Sequence, residues 1–378
     1  MKGHWYLAPL SWVYGLITDL RNKLFDWKIL SSEEFTLPVI SVGNITVGGT
    51  GKTPFSEYLI RLLKDEQHVA FLSRGYKRKT HGYVLADPNS TARIIGDEPR
   101  QIKRKFPDVH VAVDAKRRRG IHHLCDDAAT SNTEVVLLDD AYQHRQVTPG
   151  VNILLVDYNR MPNEDRLLPN GRLREAFHNR DRAHIIVVTK CPEDIRPIDF
   201  RIIQNHLELR PYQRLYFSIC RYGLLRPILS DNPHDDPQVE SPDSRSLSNL
   251  SKDTSILLVT GIARPQHIVE ELKKHTDNVV TMSFPDHHDF RSRDIKRIDK
   301  AFSAITATDK MIITTEKDAV RLIDNPKADA LKPYIYVLPI EIEFLRDQAE
   351  SFNNFIISYV RKNSRNSIVH KGANAHRT

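Results

Sequence analysis

The sequence has few cysteines and no long apolar run, and each absence excludes a class of protein. Its three cysteines, Cys125, Cys191 and Cys220, lie far apart and lack the spacing of a metal site. This pattern is typical of a reduced, cytosolic-type protein without a disulfide framework. The apolar stretch at residues 5–18 is too short to span a bilayer as a helix. It also lacks the basic region and cleavage site of a secretory signal, so we expect none.

The composition is that of a folded protein with a mild positive charge. The 378 residues are 40% hydrophobic and 27% charged, which at roughly 150 residues per domain suggests two domains. The net charge of +7 suits a partner rich in phosphate, such as a nucleotide, a nucleic acid or an anionic lipid. No stacking aromatic residues interleave the basic runs, such as the one at 116–119, so we do not expect nucleic-acid binding.

Apolar strand patterns alternate with helical patterns through most of the chain. Segments such as 151–156 and 184–189 are apolar on both faces, which is typical of a parallel sheet covered by helices on both sides. A polar segment at 226–253 is predicted to be a long exposed loop. The strand and helix patterns beyond it predict a second, smaller α/β domain.

These patterns divide the chain into five predicted segments. They are an N-terminal amphipathic helix (1–36), a core domain (37–215), a second domain that includes the loop (216–340), a C-terminal helix (341–362) and a disordered basic tail (363–378). Within the second domain, residues 334–342 are predicted to form one strand.

The N-terminal helix has one apolar side and one charged side. The apolar side comprises Trp12, Val13, Leu16, Ile17, Leu20, Leu24 and Trp27. Such a helix either packs on the protein's own core or lies in the interface of a membrane, with aromatic rings at headgroup depth. The segment by itself leaves both interpretations open.

The strongest local motif is a phosphate-binding loop between a predicted strand and a predicted helix. Its predicted ligands are Val47, Gly48, Gly49, Thr50, Gly51, Lys52, Thr53 and Pro54. Glycines let backbone N–H groups surround phosphate oxygens, and the helix N-terminus adds partial positive charge. Lys52 can reach the β- and γ-phosphates, and the Thr53 hydroxyl can bind Mg²⁺. The usual pattern has Gly at position 46, where this chain has Thr46, so Gly48 and Gly49 are expected to supply the flexibility.

Two further segments complete a nucleotide site of the P-loop NTPase type. Asp139 and Asp140 follow a predicted strand, where a P-loop protein needs a carboxylate for Mg²⁺. The segment 189–192 ends in Pro192, where guanine-specific proteins carry an aspartate that reads the base. Proline cannot accept those hydrogen bonds, so the sequence favours ATP.

An ordered set of motifs resembles the tetraacyldisaccharide 4′-kinase family, the lipid A 4′-kinases of Gram-negative bacteria. The motifs are SVGNITVGGTGKTP (41–54), LSRGY (72–76), GDEP (96–99), DDAYQH (139–144), LPNGRLRE (168–175), TGIARP (260–265), FPDHHDF (284–290) and TTEKDAV (314–320). Thr46 is the family's usual residue, whereas Ala141 replaces its usual glycine. We expect activity to survive, because this change removes no chemical group.

The resemblance implies a lipid kinase. ATP, with Mg²⁺, would phosphorylate the 4′-hydroxyl of a tetraacylated glucosamine disaccharide 1-phosphate to give lipid IV_A, a lipid A precursor. It also implies a peripheral, monotopic protein on the cytoplasmic face of the inner membrane, which favours the interfacial interpretation of the N-terminal helix. We predict no obligate protein partner.

The resemblance also implies roles for individual residues. Asp97 matches the catalytic base, His287 its partner, and Asp139 and Asp140 the metal-side carboxylates. Arg117 and Arg174 match basic residues near phosphate. The motifs contain further predicted substrate or phosphate contacts: Asn44, Arg74, Glu98, Gln143, His144 and Asp286.

The residues by themselves allow simpler interpretations. Asp97 can be a helix N-cap, and His287 and His288 can form a solvated turn or, with further ligands, a zinc site. We derive no role for Lys317 or Asp318 from the sequence. A P-loop kinase of a small soluble metabolite and a nucleotide-driven switch remain competing functions.

Overall fold

The computed structural model describes residues 5–228, 244–262 and 265–375. Its strands, in chain order, are β1 (Val39–Gly43), β2 (Val69–Ser73), β3 (Val84–Leu85), β4 (His110–Val113), β5 (Val135–Asp139), β6 (Val151–Asp157), β7 (Ile185–Thr189), β8 (Arg214–Tyr222), β9 (Arg226–Pro227), β10 (Ser255–Thr260), β11 (Asn278–Ser283), β12 (Lys310–Thr315), β13 (Ile335–Leu338) and β14 (Ile340–Phe344). Its α-helices are α1 (Ala8–Asp26), α2 (Lys52–Leu63), α3 (Ala92–Ile95), α4 (Asp97–Lys105), α5 (Arg117–Asp126), α6 (Pro197–Leu207), α7 (Gln266–His275), α8 (Ser292–Ser303), α9 (Glu316–Ile323) and α10 (Gln348–Ala375).

The first sheet has nine strands in the order β14-β8-β7-β6-β1-β5-β2-β4-β3. Its central strands are parallel, and only the edge strands β3 and β14 pair antiparallel. Helices α2 and α10 cover one face, and α5 and α6 cover the other. This confirms the predicted mostly parallel sheet with helices on both faces, and it follows from strands whose side chains are apolar in both directions.

The second sheet has five strands in the order β11-β10-β12-β13-β9. Strands β10, β11, β12 and β13 are parallel, with α8 and α9 on one face and α7 on the other. The chain reverses direction in the strand order between β10 and β12. In open α/β sheets, the crevice beyond the carboxyl ends of strands at such a point commonly binds ligands.

The structure moves the predicted boundary between the two domains. The boundary at 215/216 falls inside β8, which belongs to the first sheet. The predicted strand at 334–342 is two strands in different sheets, with Pro339 between them. Proline lacks the N–H that a continuous ladder requires. The chain therefore leaves the first sheet at β8 and returns to it at β14, and the final helix packs on the first sheet through Phe352, Ile356 and Val360.

The predicted loop and tail also need correction. Within 226–253, residues Arg226–Pro227 form β9 and Leu247–Asn249 form a 3₁₀ helix, while 229–243 lie outside the described residues. The tail predicted to be disordered from 363 continues α10 as far as Ala375, and 376–378 lie outside the described residues. Polar composition is compatible with a helix that extends from a packed segment.

Helix α1 contacts the first domain through small and polar residues and through Phe25. Ser11, Gly15, Asn22 and Phe25 are buried, and the Ser11 hydroxyl donates to the Leu167 carbonyl at 3.0 Å. The predicted apolar side faces solvent instead: Trp12 is 71% exposed and Ile17 is 61% exposed. The helix is thus not packed on the core by its apolar side. Among the helices that the structure describes, none has the length and apolar content to cross a membrane.

Candidate active site

The P-loop connects β1, at the centre of the first sheet, to the start of α2. Gly48 has φ of 122° and Gly51 has φ of 81°, a region that residues with a Cβ rarely adopt, so the loop closes at these two glycines. Val47, Gly48 and Gly49 are exposed at the surface of the loop. The helix begins at Lys52, which places Thr53 and Pro54 in its first turn. Thr46 does not have a positive φ, so the loop needs no glycine at that position.

Neighbouring segments fix the outer side of the loop. The Val47 N–H donates to the Arg172 carbonyl at 2.8 Å. The Asn44 side-chain amide donates to the Thr50 hydroxyl at 2.9 Å, and Gln143 donates to the Asn44 carbonyl at 2.8 Å. Two predicted substrate contacts, Asn44 and Gln143, thus shape the loop from behind.

The segment predicted to discriminate the base also meets the P-loop. The Thr189 hydroxyl donates to the Thr50 carbonyl at 2.9 Å. The Lys190 ammonium donates to the Gly49 carbonyl and lies 3.1 Å from Asp157. Lys190 was not among the predicted site residues. Its place in the segment 189–192, beside the expected nucleotide site, could have identified it.

Asp140 lies between two cations at the mouth of the loop. Its carboxylate is 3.5 Å from the Lys52 ammonium and accepts hydrogen bonds from Arg174 at 3.1 and 3.0 Å. Burial disfavours its charge, but Lys52 and Arg174 outweigh burial and lower the pKa of Asp140. Its φ of 44° lies in the left-handed region, so the unusual backbone falls on Asp140 and not on Ala141.

Asp139 ends β5, directly beside β1, where Val42 is its register partner. The Ser73 hydroxyl donates to its carboxylate at 3.0 Å. Burial, together with the neighbouring carboxylates of Glu98 and Asp140, raises the pKa of Asp139 to about 7. A buried oxygen donor whose charge lacks full compensation suits a divalent cation. Glu98 is therefore close to the metal-side carboxylates.

Arg117 and His144 support this region from within. Arg117 is 1% exposed and donates to the backbone carbonyls of Asp114 and Asp139, at 2.7 and 2.9 Å. Burial lowers its pKa to about 10. Burial, with Arg117 and Arg74, also lowers the pKa of His144 to about 4, which keeps that ring neutral at pH 7. Arg117 was predicted to contact phosphate, but the structure uses its donors to hold the Asp139 main chain.

Asp97 begins α4 and is held by two side chains from the second domain. Its Oδ2 lies 2.7 Å from His287 Nδ1, and its Oδ1 accepts from Arg321 Nε at 2.7 Å. Burial opposes ionisation, but the hydrogen bonds from His287 and Arg321 outweigh it and lower the pKa of Asp97. Asp97 lies in the first turn of α4, but its side chain accepts no hydrogen bond from an N–H group of that helix. The predicted pairing of Asp97 with His287 is therefore formed, and the N-cap alternative is not.

His287 follows β11 in a left-handed conformation, with φ of 60°. Such a backbone costs on the order of 1 kcal/mol for a residue with a side chain, and it persists where the surroundings fix it. The Lys317 ammonium donates to His287 Nε2 at 3.0 Å and to Asp286 at 2.6 Å. The ring of Tyr76 meets the His287 ring edge-on, with 5.2 Å between centroids. Arg74, on the same loop as Tyr76, is exposed.

The sequence reasoning missed Arg321 and assigned no role to Lys317. Both lie on α9, four residues apart, so their side chains share one face of that helix. That spacing was visible in the sequence, but the helix itself was not predicted. His288, considered as a metal ligand, is bound to Asp294 at 3.0 Å. In the described part of the chain, no three histidine, cysteine or acidic side chains converge to hold a metal by themselves.

Comparisons with known proteins lead to one family. The family model described as "Tetraacyldisaccharide-1-P 4'-kinase" matches residues 3–361. The chain is similar to the tetraacyldisaccharide 4′-kinase of Phocaeicola vulgatus (54% identical over 363 residues, 96% of each chain) and of Bacteroides thetaiotaomicron (54% over 380 residues, 100% of this chain and 99% of the other). A crystal structure of LpxK from Aquifex aeolicus in complex with ATP is similar with a TM-score of 0.70 and 28% identity, over 94% of this chain and 98% of that one. The chain belongs to the tetraacyldisaccharide-1-P 4′-kinase family.

Proposed function

We propose that this chain transfers the γ-phosphate of ATP to the 4′-hydroxyl of a tetraacylated glucosamine disaccharide 1-phosphate, giving lipid IV_A in lipid A biosynthesis. Membership of the kinase family supports the reaction. The observation that carries the mechanism is the position of Asp97, which joins the second domain to the edge of the P-loop sheet. Its neighbour Glu98 is close enough to raise the pKa of Asp139.

The nucleotide half of the site comes from the P-loop. Backbone N–H groups of residues 48–51 and the start of α2 would bind the phosphates, since the Val47 N–H is donated to Arg172, and Lys52 would turn from Asp140 towards the transferred group. Thr53 and Asp139, with Asp140, would hold Mg²⁺, which neutralises phosphate charge when bound. A site with few protein ligands suits Mg²⁺, because that ion keeps waters and phosphate oxygens as its other ligands.

The acceptor half of the site comes from Asp97. A sugar hydroxyl is a weak nucleophile, and a positioned carboxylate takes its proton as the oxygen attacks phosphorus. Asp97 is ionised at neutral pH because its pKa is lowered. His287 and Arg321 each occupy one lone pair of its carboxylate, so both oxygens retain a lone pair for the hydroxyl.

The lipid substrate lies in a membrane, so the protein has to reach it there, and the exposed side of α1 supports membrane contact. Each CH₂ that leaves lipid for water costs about 0.8 kcal/mol, so a four-chain substrate stays in the bilayer. The exposed apolar side of α1 suits the interface of the cytoplasmic leaflet of the inner membrane. The Tyr14 hydroxyl donates to the Arg174 carbonyl at 2.9 Å, which ties this helix to a residue that contacts Asp140.

A phosphotransfer assay tests the proposal. The protein in detergent micelles receives γ-labelled ATP, Mg²⁺ and a tetraacyl glucosamine disaccharide 1-phosphate, beside Asp97→Asn and the exposed-lysine control Lys296→Met. Label is expected on the lipid, with a fall of about 10²-fold or more for Asp97→Asn and none for the control. Transfer to a soluble sugar in preference to the lipid would favour the metabolite kinase. Rapid hydrolysis without any acceptor would favour the switch.

A further inference from the structure

The ring of His287 is enclosed by charged groups from both domains. Nδ1 faces Asp97 at 2.7 Å, and Nε2 faces the Lys317 ammonium at 3.0 Å and Asp286 Oδ2 at 3.8 Å. The His287 side chain is only 9% exposed, so water does not compete freely for either nitrogen. The partners of the two nitrogens therefore decide which of them carries the hydrogen.

We propose that Lys317 is a positioning residue that fixes His287 as the Nδ1–H tautomer and thereby holds Asp97 for catalysis. An ammonium group has three donors and no acceptor, so a hydrogen bond to Nε2 uses the lone pair of that nitrogen. A neutral imidazole whose Nε2 lone pair is engaged carries its hydrogen on Nδ1. That hydrogen points at Asp97 Oδ2. The tautomer assignment is independent of the proposed function, and only its consequence for catalysis rests on that function.

Lys317 is itself held in place. It is the second residue of α9, and its ammonium forms a 2.6 Å ion pair with Asp286 Oδ1. Burial opposes ionisation of Asp286, but Lys317 outweighs it and lowers the pKa of that carboxyl. The pair is therefore an ammonium and a carboxylate, and Lys317 acts as a donor towards the ring. Arg321, one helical turn later, fixes the other oxygen of Asp97.

The position of Asp286 explains why Lys317 is needed to keep hydrogen off Nε2 of His287. Its Oδ2 is 3.8 Å from His287 Nε2, and a free carboxylate there would accept a hydrogen from that nitrogen. Nε2 would then carry hydrogen towards Asp286 while Nδ1 kept its hydrogen towards Asp97, which is the nearer carboxylate at 2.7 Å. A ring that donates from both nitrogens is positive, and it would hold the Asp97 carboxylate as an ion pair and make it a weaker base for the attacking hydroxyl. Lys317 prevents this by occupying both Asp286 and Nε2.

Nitrogen NMR combined with kinetics tests the proposal. Protein labelled with ¹⁵N-histidine reports which ring nitrogen carries hydrogen, and the His287 signals are assigned by their loss in His287→Gln. The wild type is expected to show hydrogen on Nδ1. Lys317→Met is expected to add hydrogen to Nε2, so that both nitrogens carry it, and to lower kcat about 10- to 100-fold, with both KM values changed less than about threefold. Lys317→Arg keeps a cationic donor and is expected to keep the tautomer and most of kcat.

Two controls keep the outcomes distinct. Lys296→Met, an exposed lysine of the second domain, should change neither the tautomer nor kcat. Thermal unfolding of Lys317→Met identifies a variant that has lost its fold, in which case Lys317→Gln replaces it. Hydrogen on Nε2 in the wild type, or an unchanged tautomer in the folded Met variant, would overturn the proposal. A wild type that shows Nδ1–H but transfers no phosphate would sink the proposed function and leave the tautomer assignment standing.

Discussion

At the scale of single residues, the properties of Asp97 come from its partners. Burial would keep the carboxyl neutral, yet the hydrogen bonds from His287 and the charge of Arg321 keep it ionised. A carboxylate with a lowered pKa is a weak base, so its contribution depends on where it stands when the hydroxyl attacks. The four residues that fix this position are His287, Lys317, Arg321 and Asp286.

Arg321→Gln tests the electrostatic part of this arrangement. The pKa of Asp97 is lowered in the wild type and should rise when the guanidinium is removed. Activity needs the ionised carboxylate and is lost as pH falls through that pKa, so the acid side of the kcat/KM profile should move to higher pH. Steady-state rates measured across the acid range, with Lys296→Met as the control, check this. An acid side that stays in place or moves to lower pH would show that Arg321 does not set the charge of Asp97.

At the scale of elements, α1 inverts the usual amphipathic arrangement. Its small and polar residues contact the protein, and Gly15 approaches Leu167 so closely that an added Cβ would lie 2.7 Å from that side chain. The large apolar residues Trp12, Leu16, Ile17 and Leu20 face outwards. A patch of this kind normally marks a surface that binds an apolar partner or a membrane.

Replacing Leu16, Ile17 and Leu20 by Gln tests the helix as a membrane element. These side chains are 53–61% exposed, so the free energy of unfolding should change by less than about 0.5 kcal/mol for each. Vesicle binding should fall on the order of 10²-fold, because three apolar side chains no longer enter the interface. Flotation with vesicles that contain anionic lipid measures this, with Val280→Gln on β11 as an exposed apolar control. Equal flotation of the triple variant and the wild type would argue that another surface binds lipid.

At the scale of the whole molecule, α4 and α9 lie antiparallel and join the two domains at both ends. One end carries the ion pair of Asp97 with Arg321. At the other end, Lys105 lies between Glu57 of α2 and Glu316 of α9, 2.6 Å from Glu57 and 2.5 Å from Glu316. Burial opposes the charge of Lys105, but Glu316 and Glu57 outweigh it and raise its pKa. The contact between the two domains at the site thus depends on charged side chains on helices from both domains.

Lys105→Met is expected to loosen this arrangement. The change leaves the carboxylate of Glu316 without its cation and that of Glu57 with only the 3.5 Å pair to Arg61, which costs about 3–5 kcal/mol of unfolding free energy. Urea unfolding measures the cost, and small-angle scattering should show a larger radius of gyration as the domains separate. The triple variant Glu57→Gln, Lys105→Met, Glu316→Gln removes the unpaired charges and should recover most of the loss. A stable, compact Lys105→Met variant would contradict the role of the cluster.

We also expect bound nucleotide to draw the two domains together around the site. Identical small-angle scattering with and without ATP would count against such a closure.

Much of the fold and half of the site followed from local sequence. The P-loop, the strand before it and Asp139 lie within short segments whose spacing fixes their geometry, since a strand, a glycine-rich turn and a helix start are local structures. Apolar strands alternating with helices were sufficient for the two α/β sheets. The sequence pattern predicts the apolar side of α1. It does not say whether that side packs on the protein's own core or lies in a membrane interface, because periodicity carries no information about what lies against a helix.

The tertiary structure alone decided the acceptor half. His287 and Arg321 reach Asp97 across 190 and 224 residues of chain, so no local pattern could pair them. Residues 334–342 likewise read as one strand, and only the available sheet edges divided them between two domains at Pro339. The sequence by itself determined where phosphate can bind, because that chemistry needs contiguous backbone. The fold decided which charges surround the base, because those charges come from separate elements that only packing brings together.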